Sequence, residues 1–380
     1  MRIIIASVSF PPNISGVAFA AFLLAKYLVT KGHEIVVITP GKTAHNYIKN
    51  KNGIIIHRLA AIPNPFRSGF FLPFAPAQEV NKIVNDFKPD LIHIHDPTNV
   101  SIALLREARS RDIPILATNH FTIDYVLAYL PKSFHSLSSR VLTAKIAQFY
   151  NQCDALICPS KIIADFYKKT GVKKPIVVIS NGVDTGRFKP LKGKTSERTV
   201  LYLGRIDRDK SLDVLIEAFR KVRTQIDANL ILVGSGDYRK KLRQLVIQKK
   251  LTKHVRFSGA INHEDPLLVT TIRKASVFAI ASTIESQSIA TMEAMACGKP
   301  IVAARAQALP ELVKNNINGY LFSPGNSTQM AQGIIKLLKN RAMRSKMGAN
   351  SRRLAQKHDL LKSHQTTEKV YKRYGRGGGN

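Results

Sequence analysis

Two glutamates eight positions apart, Glu285 and Glu293, bracket the stretch Glu285-Ser-Gln-Ser-Ile-Ala-Thr-Met-Glu293-Ala-Met-Ala-Cys-Gly298-Lys-Pro300. An apolar run ending near Ala281 predicts a strand before it, and the pattern over 289–297 predicts a helix. Gly298 and Pro300 stop that helix, and 300–303 begins the next strand. Ser286, Gln287, Ser288 and Ile289 would then expose backbone N–H groups at a helix start. Such a place is an anion site by geometry and by dipole. Carboxylates beside an anion make sense if they accept hydrogen bonds from hydroxyls flanking a phosphate, one on a sugar and one on a ribose.

Other loops carry weaker chemistry. Arg205 and Lys210 follow the apolar run 199–203, and Gly234-Ser-Gly236 follows 229–233. Two histidines, His95 and His120, stand at the carboxyl ends of apolar runs. A lone histidine is usually a satisfied structural residue; at a strand end facing a cleft, His120 is read as functional and His95 as a candidate. No metal-ligand spacing occurs among the Asp, Glu, His and Cys residues.

The elements that must position these residues alternate. Strands are predicted over 2–8, 34–39, 53–59, 91–95, 114–118, 155–158 and 175–179, with helices over 17–30, 77–86, 99–110 and 140–152. A second series follows: strands over 199–203, 229–233, 255–258, 277–281, 300–303 and 319–322, helices over 212–226, 239–250, 289–297 and 329–339. A basic amphipathic helix is predicted over 345–374. This is an α/β chain of two Rossmann-like, doubly wound parallel-sheet domains, whose strand ends are expected to face a central cleft. The domains are assigned to 1–182 and 183–357, with a helix over 358–374 returning to the first domain and a disordered Gly-rich tail over 375–380.

A chain of 380 residues, 44% apolar, suits two globular domains. Cys153, Cys158 and Cys297 are read as buried small hydrophobes, and a reducing cytoplasm fits. Neither a signal peptide nor a membrane span is read. Lys and Arg number 58 against 25 Asp and Glu, a formal net charge of +33. With 21 basic and 11 acidic residues in 1–185 and 37 and 14 beyond, the two parts carry +10 and +23. Such an excess points to nucleic acid, an anionic membrane or acidic substrates.

The E-x7-E pattern with Ala294-Met-Ala-Cys-Gly-Lys-Pro300 resembles the family 4 retaining glycosyltransferases of the GT-B fold. The resemblance implies that Glu285 holds hydroxyls of the transferred sugar and Glu293 the ribose of its nucleotide. Gly204-Arg205 with Lys210 is similar to the family's diphosphate clamp, with Ser211 where glycine is usual. Gly234 and Gly236 resemble its nucleotide turn, and Phe257 its base-contacting edge. In the first domain, Pro11-Pro12 with Ser15 and Gly16 resembles the loop reaching towards donor phosphate and acceptor. His120 matches the position near the reacting sugar, and Asn181-Gly-Val-Asp184 with Phe188 the interdomain hinge. The resemblance implies a nucleotide-sugar donor, no metal cofactor, and retention by a front-face route.

The acceptor is read from a Pro-broken aromatic loop containing Phe66, Arg67, Phe70 and Phe71, and from Lys132. Aromatics beside cations suit an anionic membrane surface. The Ser286-Gln287-Ser288 variant also resembles members that glycosylate diacylglycerol or phosphatidylinositol. The expectation is a cytoplasmic protein on the inner face of the cell membrane, with a lipid acceptor and no specific nucleic acid. A soluble or polysaccharide acceptor, a GT-B epimerase or phosphorylase, and a basic nucleic-acid-binding protein are the rival readings.

Overall fold

Short apolar runs without alternation make strands buried on both faces, and helical stretches between them supply the cover. The computed structural model describes residues 1–13, 15–64, 70–74, 76–120, 135–190 and 198–376. They fall into two units, Met1–Ser180 with Ser363–Asn380, and Asn181–Lys362.

The first unit runs β1 (Arg2–Ala6), α1 (Gly16–Thr30), β2 (Glu34–Pro40), β3 (Tyr47–Lys51), β4 (Ile54–Leu59), β5 (Ala61–Pro63), β6 (Phe71–Pro73), α2 (Pro76–Phe87), β7 (Leu91–Ile94), α3 (Asn99–Ser110), β8 (Ile115–Thr118), α4 (His135–Tyr150), β9 (Ala155–Cys158), α5 (Lys161–Lys169) and β10 (Ile176–Val178). Its sheet has the order β10-β9-β8-β7-β1-β2-β4-β3. All pairs are parallel except β3 on β4. Successive residues of β1 feed opposite cores: Ile4 and Ala6 join the side chains of α2, α3 and α5, while Ile3 and Ile5 join those of α1.

The second unit runs β11 (Thr199–Leu203), α6 (Leu212–Arg223), β12 (Asn229–Val233), α7 (Arg239–Gln248), β13 (Val255–Gly259), α8 (Pro266–Lys274), β14 (Val277–Ile280), α9 (Ile289–Ala296), β15 (Ile301–Ala304), α10 (Leu309–Leu312), β16 (Gly319–Phe322), α11 (Ser327–Lys339) and α12 (Arg341–Ala355). Its sheet is parallel throughout, in the order β13-β12-β11-β14-β15-β16. That order reverses direction between β11 and β14, and ligands of open α/β sheets bind beyond the strand ends at such a switch point.

The stretch expected as one helix over 345–374 is two: α12, then α13 (Leu360–Tyr374), separated by a 3-10 turn at Gln356–His358. The break carries Asp359, which pairs with Val183 in an isolated bridge. From Ser363 onward the chain belongs to the first unit. There Tyr371 reaches His93 of β7, and Glu368 accepts from the Tyr27 hydroxyl of α1 at 2.7 Å. Strands β3, β5 and β6 and helices α5, α8 and α10 have no counterpart in the sequence reading. All three cysteines are buried, which pushes each thiol up to about 12.

Candidate active site

The loops after β11 and β14 leave adjacent central strands of the second unit. The first is braced from beside it: Gly204 N donates to Val233 O at 3.0 Å and Ile206 N to Ser235 O at 2.8 Å. A Cβ on Gly234 would stand 1.8 Å from the Gly204 carbonyl oxygen, so only glycine permits this approach. Gly236 likewise fits against the Ile206 carbonyl. Both glycines let the end of β12 pack closely on the Arg205 loop.

That loop presents its cations already paired. Arg205 bonds Asp207 and reaches Asp209 at 3.4 Å. Lys210 closes a 3-10 turn, Arg208–Lys210, which ends on Ser211 in the left-handed conformation, φ 49° and ψ 42°. Its Nζ donates to Glu285 Oε1 at 2.9 Å and to Ile284 O at 3.3 Å, and lies 3.2 Å from Asp209. Cation and glutamate, 75 residues apart, are thus in contact because β11 and β14 are neighbours. Sequence spacing gave both residues but neither Asp207 nor Asp209 as their counter-ions.

Glu285 is held through its backbone, its N–H donating to Gln307 Oε1 at 2.8 Å. The Gln287 side chain accepts from Asn181 N at 2.7 Å. Ser288 caps α9, its hydroxyl accepting from Thr291 N at 3.3 Å. The amides of Ile289 and Ala290 take no hydrogen bond among the described residues, and both residues are half-buried. They are the open donors of this helix start. Glu293, 3% exposed, is bonded by His263 Nε2 at 2.5 Å. His263 carried no sequence signal. Phe257 is half-buried at the end of β13, with the Arg243 guanidinium 5.7 Å from its ring centroid.

In the first unit the sheet order reverses between β1 and β7. Ser15 caps α1, accepting from Ala18 N at 3.1 Å, and its hydroxyl donates to Ser9 at 3.0 Å. Ser15 is thus the N-cap of α1. Pro12 and Gly16 are exposed. Two residues the sequence did not single out hold this loop: Asp96 accepts from Val8 N at 2.8 Å, and buried Arg58 donates to Pro11 O. His95 and His120 lie at the ends of β7 and β8, both buried and stacked, with His95 Nδ1 2.9 Å from His120 Nε2. Burial pushes His120 down to about 4 and, with His93 and His120 beside it, His95 well below the usual histidine range. Both rings are neutral at pH 7. His95 Nε2 is buried without a partner among the described residues.

Of the membrane-contact candidates, Phe66, Arg67 and Lys132 lie outside the described residues, and Phe70 and Phe71 are half-buried. The exposed apolar side chains nearby are Ile62 (53%), Leu72 (42%) and Phe74 (47%). Ile62 and Leu72 pair across the β5–β6 hairpin, while Ala61 and Pro73 turn inward.

Two family models match in tandem, Glycosyltransferase Family 4 over residues 14–187 and Glycosyl transferases group 1 over residues 185–354. The chain belongs to the family 4 glycosyltransferases. The N-acetyl-alpha-D-glucosaminyl L-malate synthase of Bacillus anthracis is 27% identical, over 90% of this chain and 89% of that one. The alpha-monoglucosyldiacylglycerol synthase of Streptococcus pneumoniae is 26% identical, over 85% of this glycosyltransferase and 75% of the synthase. Among solved structures, Anabaena HepE in complex with UDP and glucose superimposes with a TM-score of 0.78 at 21% identity, over 97% of this chain and 99% of that one. The fold of this glycosyltransferase is accordingly GT-B.

Proposed function

We propose that this glycosyltransferase moves a hexose from a UDP- or GDP-linked donor, with retention, to the hydroxyl of a membrane lipid such as diacylglycerol or phosphatidylinositol, without a metal. The observation that carries the proposal is the convergence, at the switch point of the second unit, of Arg205, Lys210, Glu285 and the open amides of Ile289 and Ala290.

In this reading the donor diphosphate takes over Arg205 and Lys210 from Asp207 and Asp209, and its oxygens meet the amides of α9. These donors serve as the electrophilic clamp that a metal supplies in other transferases. Glu285 accepts from sugar hydroxyls and Glu293 from the ribose. The bond from the anomeric carbon to the diphosphate oxygen breaks, and the acceptor oxygen bonds to that carbon on the same face. The acceptor proton passes to the leaving phosphate oxygen, which balances the exchange. The lipid acceptor is supported by the exposed apolar face of the β5–β6 hairpin, by the net charge of +33, and by the substrate class named for the pneumococcal relative.

Thermal shift with UDP and GDP tests the donor: one of them raises the melting temperature, and EDTA leaves that shift unchanged. Glu285→Gln keeps the shift but lowers donor-dependent turnover by roughly 10²-fold or more, since it weakens a contact to the reacting sugar. Unimpaired transfer by that variant, or no shift with either nucleotide, overturns the assignment.

A further inference from the structure

A buried carboxylate needs partners. Among the described residues, Glu293 has one: His263 Nε2, 2.5 Å from Oε1, while Oε2 takes no hydrogen bond. His263 lies on the short connection between β13 and α8, and that connection is tightly folded. Asn262 accepts from Glu264 N at 3.1 Å through its side chain and from Asp265 N at 3.0 Å through its carbonyl.

A second residue fixes the ring from behind. The Arg187 guanidinium lies 3.5 Å from His263 Nδ1, donates to the His263 carbonyl, and donates to Asp265 O at 3.3 Å. Arginine has donors only, so Nδ1 must face it as a lone pair, and the ring proton sits on Nε2. Donation therefore runs one way, from Arg187 to His263 to Glu293. Arg187 is itself anchored: its N–H donates to Asp184 Oδ1 at 2.9 Å, and its guanidinium covers the buried Phe188 ring at 4.9 Å. The His263 ring packs on the same phenylalanine, centroids 5.8 Å apart.

We propose that His263 is a positioning residue for nucleotide recognition: it ties down one oxygen of Glu293 so that the other is aimed at the ribose hydroxyls, with Arg187 setting its tautomer. This rests on the reading that Glu293 holds the ribose. Preference for a ribonucleotide over one lacking those hydroxyls then depends on a histidine that need not touch the ligand.

The test is binding of UDP and GDP and of their 2′,3′-dideoxy counterparts to the full chain, with Glu293→Gln, His263→Leu and His263→Gln as variants. The wild type binds the ribose form of its nucleotide more tightly than the dideoxy form. His263→Leu, which keeps the bulk and loses the donor, weakens the ribose form about tenfold and leaves the dideoxy form unchanged. His263→Gln, which keeps an N–H donor, restores part of the preference. In turnover, His263→Leu raises KM for the donor while kcat holds. Equal weakening of both nucleotide forms, or no weakening, overturns the role of His263. Retention of the ribose preference by Glu293→Gln instead overturns the reading of Glu293 on which the role depends.

Discussion

Ser211 occupies a backbone conformation that costs a residue with a side chain roughly 1 kcal/mol, at the point where Lys210 must be aimed at Glu285. Ser211→Gly relieves that cost, and the larger freedom of glycine in the unfolded chain offsets part of the gain. The expected outcome is a stabilisation of about 0.5 kcal/mol, read as a higher urea midpoint at constant slope. A lower midpoint counts against a strained loop. At this scale the sequence was legible where chemistry and spacing coincide, as in Glu285, Glu293, Arg205 and Lys210. It was silent on Asp207, Asp209, His263, Asp96 and Arg58. His263, Asp96 and Arg58 matter for what lies across the fold, as with Asp96 on Val8, 88 positions away, and local spacing carries no trace of that; Asp207 and Asp209 pair with Arg205 close by in the chain.

Among the elements, α13 is joined to α1 by a carboxylate. Burial alone would raise Glu368, but donors from Lys372, Tyr27 and His33 outweigh it and hold the carboxyl at about 2. Burial, seconded by Glu368, raises Tyr27 to about 12 in turn. A carboxyl depressed in the folded state adds stability that is fully present above its ordinary value of 4.5 and is lost as pH falls through about 2. Urea unfolding between pH 5 and 2 should therefore weaken more steeply in the wild type than in Glu368→Gln. At neutral pH that variant should be less stable by about 1–2 kcal/mol, the figure being discounted for the exposed Lys372. Parallel slopes would mean the carboxylate does not fasten α13. Elements were legible in proportion to their burial. β9 is a continuous apolar run and β1 and β11 are apolar after their first residue, whereas β3 (Tyr-Ile-Lys-Asn-Lys) is a mostly exposed edge strand that reads as loop. The three-residue β5 and β6 are too short for any period to show. The break between α12 and α13 was missed because Gln356-Lys-His-Asp359 contains neither glycine nor proline to mark it.

For the whole molecule, the tandem α/β organisation was plain from the alternation of runs, and the GT-B fold follows from it and from the family matches. No described helix is long and apolar enough to cross a membrane. With +33 of formal charge and an apolar face at Ile62 and Leu72, flotation should bring the protein up with phosphatidylglycerol vesicles at low salt and release it at high salt. Ile62→Ser with Leu72→Ser should lower the bound fraction further at every salt concentration, since less apolar surface enters the interface. No flotation at low salt removes the lipid-surface reading and leaves the transferase assignment intact.

The first unit is closed by a segment encoded after the whole of the second, because Tyr371 and Glu368 lie beyond Asn181–Lys362. On a ribosome adding about 5–20 residues per second, those intervening residues take roughly 10–40 s to emerge. Throughout that interval the nascent first half has its α1 flank and His93 bare. The unit begun before the other is finished after it, and stalling between Asn181 and Lys362 leaves it open.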